Sequence, residues 1–543
     1  MKKSKKILAL ALVSAMALTA CGGGEKAEET KAAETTAAAE ATTAAAIEEN
    51  KGEVGTADAA VEYEESAIIG YWFDLDTADP YGSTTAAQQF FTNFTFDTVT
   101  FNNPDTGEIE PRLAKEWKDV NGDGLVWDFT LQEGVKFHNG NDFTAEDVKF
   151  TWEYTASSAG NVIRTNTSAG YVESIEAVDD LTVRFNLTTP MFDWPSYMET
   201  KMYDKESFDA MDPTEAGVIG TGPYKYDKSL HVSGVEFVAV RNEDYWQGLD
   251  NYPTKNIVFK VLLDDDTRVA ALQSGDVDMI FNVTASYYDI LKGDSNVEIL
   301  TRGGANSYYM GFNHRKSDMA DLEVRKALAM AINREDIEAI SFNNGVGGKA
   351  NYNFCVESGA GYAAVEPIGY DPDAAMAKLK ELGKENMSLV LGHTSSTKAI
   401  AEVIQANMML INVDVELRQV DASNWTAFKK ADEYDLFTDY CAYQGALLYN
   451  FNRFFQSAGS SNMFGYASDE YDAKEQEVLT AGSYEAMVEK FGELQQLVAD
   501  ILPVVPVASG NQIAAMKPDV EGITLAPSTN YMNFSTIRIP KRQ

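Results

Sequence analysis

The 543-residue chain carries 44 Lys and Arg against 83 Asp and Glu, a formal net charge of -39. That balance excludes the basic footprint of a nucleic-acid binder and is otherwise a solubility feature with no functional weight. Its 3 cysteines are too few for a disulfide scaffold or for a zinc site built from thiolates.

At the N-terminus, Lys2, Lys3, Lys5 and Lys6 precede an apolar run from Ile7 to Leu18, too short for a permanent transmembrane helix and typical of an export signal over residues 1–20. The signal ends in Leu18-Thr19-Ala20-Cys21, which resembles the bacterial lipobox. That resemblance implies acylation of Cys21, which then becomes the first residue of the mature chain. Several acyl chains anchor stably where one holds only marginally. From Gly22 to Ser66 the chain is rich in Ala, Glu and Thr and nearly devoid of large apolar residues before Ile47. Residues 21–66 are therefore expected to be a lipidated cysteine followed by a disordered or transiently helical linker, with a reach on the order of 35 to 40 Å.

The body that follows is long enough for two or three domains, and no later run of eighteen apolar residues predicts a membrane span. "DVNGDG", Asp119 to Gly124, matches the start of a calcium loop, but Thr130 stands where the closing Glu belongs, so a tight turn into the strand "LVWDFTL" is expected instead. "LTVRFNL" (Leu181 to Leu187) and "NIVFKVL" (Asn256 to Leu262) alternate as half-buried strands do. Leu322, Val324, Ala327, Leu328 and Ala331 recur at helical spacing, as do Ile400, Val403, Ile404, Met408 and Ile411. The fold class is mixed α/β. Cys355 and Cys441 form either one disulfide or two buried thiols.

Catalytic signatures are missing. His138, His231, His314 and His393 are scattered without ligand spacing, and no P-loop, GxSxG elbow or GxGxxG after a strand occurs. Neither an enzyme nor a metal or other cofactor is expected.

The stretch "LAKEWKDVNGDGLVWDFTLQEGVKFHNGNDFTAEDVKFTWEY", Leu113 to Tyr154, is similar to the signature of family 5 extracellular solute-binding proteins, the peptide and nickel class of ABC importers. In it Thr144 should cap a helix starting near Ala145, with Glu146 and Asp147 in the first turn. Further pieces follow in order: "GTGPYKY" (Gly220 to Tyr226), "NEDYW" (Asn242 to Trp246), "ALQSGDVDM" (Ala271 to Met279), "FNHRKSDMADLEVRKALAMAINREDI" (Phe312 to Ile337) and "GYDPDAAMAKLKELG" (Gly369 to Gly383). The resemblance implies a two-lobed periplasmic-binding-protein-like fold (type II, cluster C). Lobe one would comprise 67–103, 216–305 and 506–543, an extra inserted domain 104–215, and lobe two 306–505. It implies a monomeric receptor that closes around a solute and delivers it to an ABC permease with its ATPase subunits. Its place is outside the cytoplasm, lipid-anchored to the cell membrane.

Peptide binders of the family place an acid after a strand to pair with the peptide's α-ammonium. Here that position falls on Tyr443, within "YDLFTDYCAYQGALLYNF". Either Asp439, four residues earlier, takes the ammonium if the strand bends differently, or the α-amine is read elsewhere; alternatively the cleft lacks an ammonium site and an uncharged solute, an oligosaccharide, stacks on rings such as Trp425, Tyr440, Tyr443 and Tyr449. The ligand-binding candidates are Trp425, Asp439, Tyr440, Cys441, Ala442 and Tyr443, with Tyr308 and Tyr309, of which strand alternation lets only one face the cleft.

Overall fold

Two sheets dominate the computed structural model, which describes residues 49–83, 85–157, 170–304, 306–442, 445–527 and 532–541. The first has seven strands in the order Glu298–Arg302, Gln512–Met516, Met279–Phe281, Ser66–Tyr71, Asn256–Val261, Glu236–Arg241 and Tyr224–Tyr226. Ser66–Tyr71 runs parallel to both of its neighbours, and the remaining pairings are antiparallel. Ile69, Tyr71, Phe90, Phe237, Phe259 and Phe281 fill its core.

The second sheet has six strands, Gly348–Ala350, Val504–Gly510, Asn306–Phe312, Leu436–Ala442, Ser388–His393 and Asp414–Gln419. The helices Leu322–Met330 and Lys398–Leu410 bury Val324, Leu328, Ile400, Ile404 and Met408 in one cluster with strand residues Leu391 and Leu436, the faces their spacing predicts. A third, antiparallel sheet pairs Ala114–Asp119, Val126–Leu131, Thr182–Leu187 and Val172–Asp179. The helix Ala145–Ser157 covers it with Val148 and Trp152.

The chain passes between the two large sheets twice. Glu298–Arg302 continues through residues 303–305 into Asn306–Phe312, and Val504–Gly510 continues through Asn511 into Gln512–Met516. The strands before and after each passage pair antiparallel with those of the other passage, within one sheet and then within the next. This defines two lobes on a double-stranded hinge. Asn511 braces one crossing: its backbone N–H donates to the Gly347 carbonyl at 2.8 Å, and its side-chain amide to the carbonyls of Gly345 and Val346, both at 3.1 Å. At the other, Gly304 has φ +81 and its carbonyl accepts from Ser358 Oγ at 3.2 Å. Because Val504–Gly510 pairs throughout with the second sheet, the second crossing falls at Asn511, not between 505 and 506 as the sequence suggested.

The linker also ends earlier than composition indicates. Gly52–Glu53 pairs with Ile523–Thr524, Asn50 and Tyr63 form bridges to Thr301 and Pro540, and Lys51 Nζ lies 2.9 Å from Asp105. Residues 49–66 are thus held to the first lobe by backbone hydrogen bonds and ion pairs, which need no apolar side chains and leave no hydrophobic signal. Cys21 and the export signal lie outside the described residues.

The signature motifs form scaffold contacts. Asp119 accepts from the backbone N–H groups of Asn121, Gly122 and Gly124 at 3.3, 2.9 and 2.6 Å, so this loop is the expected turn and its carboxylate is occupied by backbone. The helix at 145 is capped differently from expectation. The Thr144 hydroxyl donates to Asp147 at 2.9 Å, and Asp147 also takes the Thr144 N–H at 2.8 Å and the Lys205 N–H at 2.9 Å. Asp147 is buried, which pushes its carboxyl up to about 6. His138, pushed down to about 3 by burial, accepts from the Gly220 N–H through Nδ1 at 3.2 Å and faces the Gly222 carbonyl with Nε2 at 3.1 Å, stitching two motifs 82 residues apart.

A Cβ at Gly220 would lie 2.0 Å from the Thr95 carbonyl oxygen. That contact is with backbone and has no flexible side chain to yield. Gly220→Ala is expected to cost at least about 1–3 kcal/mol, read as a lower urea midpoint with an unchanged m-value.

Candidate functional site

The strands Asn306–Phe312 and Leu436–Ala442 pair antiparallel with Ser307 opposite Cys441 and Tyr309 opposite Asp439. Alternation sends Ser307, Tyr309, Asp439 and Cys441 to one face and Tyr308, Tyr440 and Ala442 to the other. The predicted site residues therefore divide between two faces of one sheet.

On the first face, next to the hinge, lies a pocket of about 380 Å³, open solvent at its mouth included, lined by Ser307, Phe354, Cys355, Val356, Ala360, Cys441, Ala446, Leu447, Asn450 and Phe451. Its walls join three packing regions. Val356 also packs into the core of the first lobe, Ala446 into that of the four-stranded sheet, and Phe354, Cys441, Leu447 and Phe451 into the second lobe. Among the described residues no ionised side chain lines it. Its polar groups are the two thiols, the Asn450 amide, which donates to the Ala442 carbonyl at 3.0 Å, and the Ser307 hydroxyl, buried without a hydrogen-bond partner among the described residues. Such a surface, apolar with a few polar handles, is typical of small-molecule sites.

Both cysteines are free thiols, and burial pushes each up to about 12. They are neutral at physiological pH and unreactive as nucleophiles.

Cys441 is the predicted residue that lines this pocket. Tyr309 lies behind it, buried against Phe354, Phe437 and Phe454 at ring-centroid distances of 5.5, 6.1 and 6.0 Å. Asp439 is not free to receive a ligand ammonium. Its Oδ2 accepts from Lys429 Nζ at 2.6 Å and Trp425 Nε1 at 3.0 Å, and its Oδ1 from the Tyr440 N–H at 3.0 Å. Trp425 is buried and stacked on Phe428 at 5.4 Å with rings 10° apart, and the Lys429 ammonium lies 5.5 Å from its ring centre. Neither ring face is a platform for a sugar. Tyr308 and Tyr440 meet on the far face with ring centres 5.3 Å apart and planes tilted by 36°, and Tyr308 also meets Phe342 there. Tyr449 is buried in the cluster of the four-stranded sheet, and Tyr443 lies outside the described residues.

Sequence reasoning missed Ser307, Phe354, Cys355, Val356, Ala360, Ala446, Leu447, Asn450 and Phe451. The pairing of Ser307 with Cys441 brings distant segments together, and the loop carrying Cys355 has no periodicity to reveal where it lands. An unusual cluster of two thiols was the available clue, and it is uninformative until the segments are placed.

Two lobes, a double crossing and a pocket at their junction are the architecture of a hinged solute-binding protein. Residues 108–462 match the model of the bacterial extracellular solute-binding proteins, family 5 (middle region), and the chain belongs to this family. It is 27% identical over 77% of its length, and 82% of the relative, to heme-binding protein A of Haemophilus influenzae. It is 25% identical over 80%, and 87% of the relative, to the dipeptide-binding protein of Escherichia coli. The oligopeptide-binding protein AppA from Bacillus subtilis, solved with a nonapeptide, superposes with a TM-score of 0.74 at 21% identity, covering 89% of this chain and all of AppA. The family is one of extracellular substrate receptors. Among the described residues no helix is long and apolar enough to cross a membrane.

The Lys429–Asp439 pair is enclosed, with side-chain exposures of 11% and 14%. Removing the ammonium leaves a buried carboxylate that keeps its hydrogen bonds from Trp425 and the Tyr440 N–H but has no counter-charge, so Lys429→Met is expected to cost about 3–5 kcal/mol. Combining it with Asp439→Asn should recover a large part of that loss. Chemical denaturation of both variants measures the difference.

Proposed function

We propose that this chain is the receptor of an ABC importer that captures peptides outside the cytoplasm by closing its two lobes and delivers them, as a monomer, to a membrane permease served by ATPase subunits. The observation that carries this reading is the position of the pocket. Two of its wall residues, Val356 and Ala446, also pack into the first lobe and into the core of the four-stranded sheet, so opening the hinge uncovers the pocket on that side and closing covers it. A ligand drives that motion only as far as it binds the closed form more tightly. The relatives support a peptide as the solute: one is named for dipeptides and a neighbouring structure holds a nonapeptide. Among the described residues the pocket has no charged side chain, which fits capture of an apolar peptide side chain there. The burial and stacking of Trp425 and the burial of Tyr449 remove two of the four rings on which an oligosaccharide would stack, and Tyr440 is on the face of its strand opposite the pocket.

We further propose that Cys21 carries the lipid. Because the folded body begins by residue 49, the spacer between anchor and body comprises residues 22–48. A receptor tethered in this way stays at high effective concentration near its permease.

Each half of the reading has its own test. A panel of di- to hexapeptides should raise the melting temperature of the protein: a ligand at 100 times its dissociation constant adds about 2.7 kcal/mol. Stabilisation by oligosaccharides with none by peptides would overturn the peptide assignment. Cys21→Ala should move the protein from the membrane fraction to the soluble fraction after export, with peptide-induced stabilisation unchanged; a variant that stays membrane-bound would refute the anchor.

A further inference from the structure

Beside the pocket wall formed by Ala446 and Leu447, the four-stranded sheet and the second lobe meet across an interface of tyrosines that encloses two carboxyl groups. Asp193, at the start of the short 3-10 helix Trp194–Met198, is 0% exposed, and Glu475, on the second-lobe helix Asp469–Leu479, is likewise 0% exposed. All four of their carboxylate oxygens lack a hydrogen-bond partner in good geometry among the described residues. Neither forms an ion pair among those residues.

Each acid faces the opposite side of the interface. The backbone N–H of Leu447, a second-lobe residue, lies towards Asp193 across the gap, while Glu475 acts electrostatically on Tyr171, next to the four-stranded sheet. A hydrogen bond from Asn452 to the Tyr171 hydroxyl, at 3.3 Å, crosses the same boundary, and Ala446 and Tyr449 share a core cluster with Trp194 and Tyr197.

Among the described residues, the surrounding titratable groups provide no counter-charge. Asp193 is faced by the hydroxyls of Tyr171, Tyr197 and Tyr484. Around Glu475 are Tyr171, Tyr197, Tyr471, Gln456 and the like charge of Asp472. Arg453, the cation on the neighbouring helix, forms no ion pair with either acid among the described residues: its Nη2 donates to Ser461 at 2.9 Å, its Nε is buried without a partner there, and it lies over the rings of Tyr449 and Phe454 at 5.1 and 5.8 Å.

A carboxylate buried without a cation or adequate hydrogen bonds is costly, whereas the neutral acid tolerates burial. We propose that closure of the four-stranded sheet onto the second lobe is linked to proton uptake by Asp193 and Glu475, so that acid favours the closed receptor and alkali the open one.

The sign follows from the environment. Burial raises both groups from ordinary values of 3.8 and 4.5 to about 7 in this structure, where the interface is shut over them. In an open form, where water reaches them, they return toward those ordinary values. The closed form is then favoured most at or below the ordinary carboxylate range, loses ground as pH rises to about 7, and suffers no further penalty above that. The inference rests on the hinged two-lobe reading and not on the identity of the solute, so the test needs no ligand.

Energy transfer between fluorophores reports the lobe separation directly. They are introduced through non-canonical amino acids at Val178 and Met409, which are 50% and 68% exposed, in the full chain without added ligand. Transfer efficiency is expected to fall as pH rises from 4.5 to 7 and to level off above about 7.5. Asp193→Asn with Glu475→Gln should abolish the fall and hold transfer at its low-pH value. If the double variant does not fold by circular dichroism, each single variant should show a smaller fall than the unsubstituted chain. Transfer independent of pH in the unsubstituted chain, or an undiminished fall in the folded variants, would overturn the proposal. Failure of peptides to bind would leave this result untouched.

Discussion

Antiparallel pairing across two chain crossings is the constraint on which the rest of the molecule depends. Glu298–Arg302 and Gln512–Met516 are partners in one sheet, and their continuations, Asn306–Phe312 and Val504–Gly510, are partners in the next. Two adjacent strands resist independent twisting more than a single linker would, and the chain between the sheets is short at both crossings. Motion is thereby confined to bending of one lobe against the other. The same pairing fixes which side chains stand beside the hinge, because the register that sets Ser307 opposite Cys441 also brings the two free thiols and the Asn450 amide to one pocket.

Charge is distributed in keeping with that mechanics. In the wall behind the pocket, Asp439 is matched by Lys429 and the Trp425 indole N–H, a closed network within one lobe that moves as a unit and needs no ligand. At the moving interface, Asp193 and Glu475 have no such match. A buried acid satisfied within its own lobe is structural; one left unsatisfied where two bodies meet makes the contact sensitive to its own protonation. The position of a carboxyl group relative to the hinge, more than its burial, decides whether it stabilises the fold or tunes the motion.

Outside that interface the family motifs do quiet work. His138, Gly220 and Gly222 join the four-stranded sheet region to the first lobe through close backbone contacts. Asp97 accepts from Tyr245 and from the Trp246 indole at 3.1 and 2.9 Å, anchoring "NEDYW" to the end of the helix Ala86–Thr95. These motifs are recognisable in sequence because the chain must satisfy specific polar partners at short range, and they describe the frame without touching the pocket.

Sequence alone determined the elements whose signal is local. The alternation in Leu181 to Leu187 and Asn256 to Leu262, the apolar faces of the helices at 322–330 and 398–410, and the turn at Asp119 all follow from side-chain periodicity and backbone preference within a few residues. The motifs, through their order, also gave the family and its two-lobed frame. Tertiary structure decided what depends on residues far apart. Residues 49–66 looked like linker because backbone pairing to Thr301, Ile523 and Pro540 needs no apolar side chain. Asp439 looked available for a ligand because nothing in its own segment reveals that Lys429, ten residues earlier, turns back onto it. The pocket itself arises only when strand register brings Ser307, Cys355, Cys441 and Asn450 together, since periodicity tells which face a side chain occupies but not which distant segment will cover it.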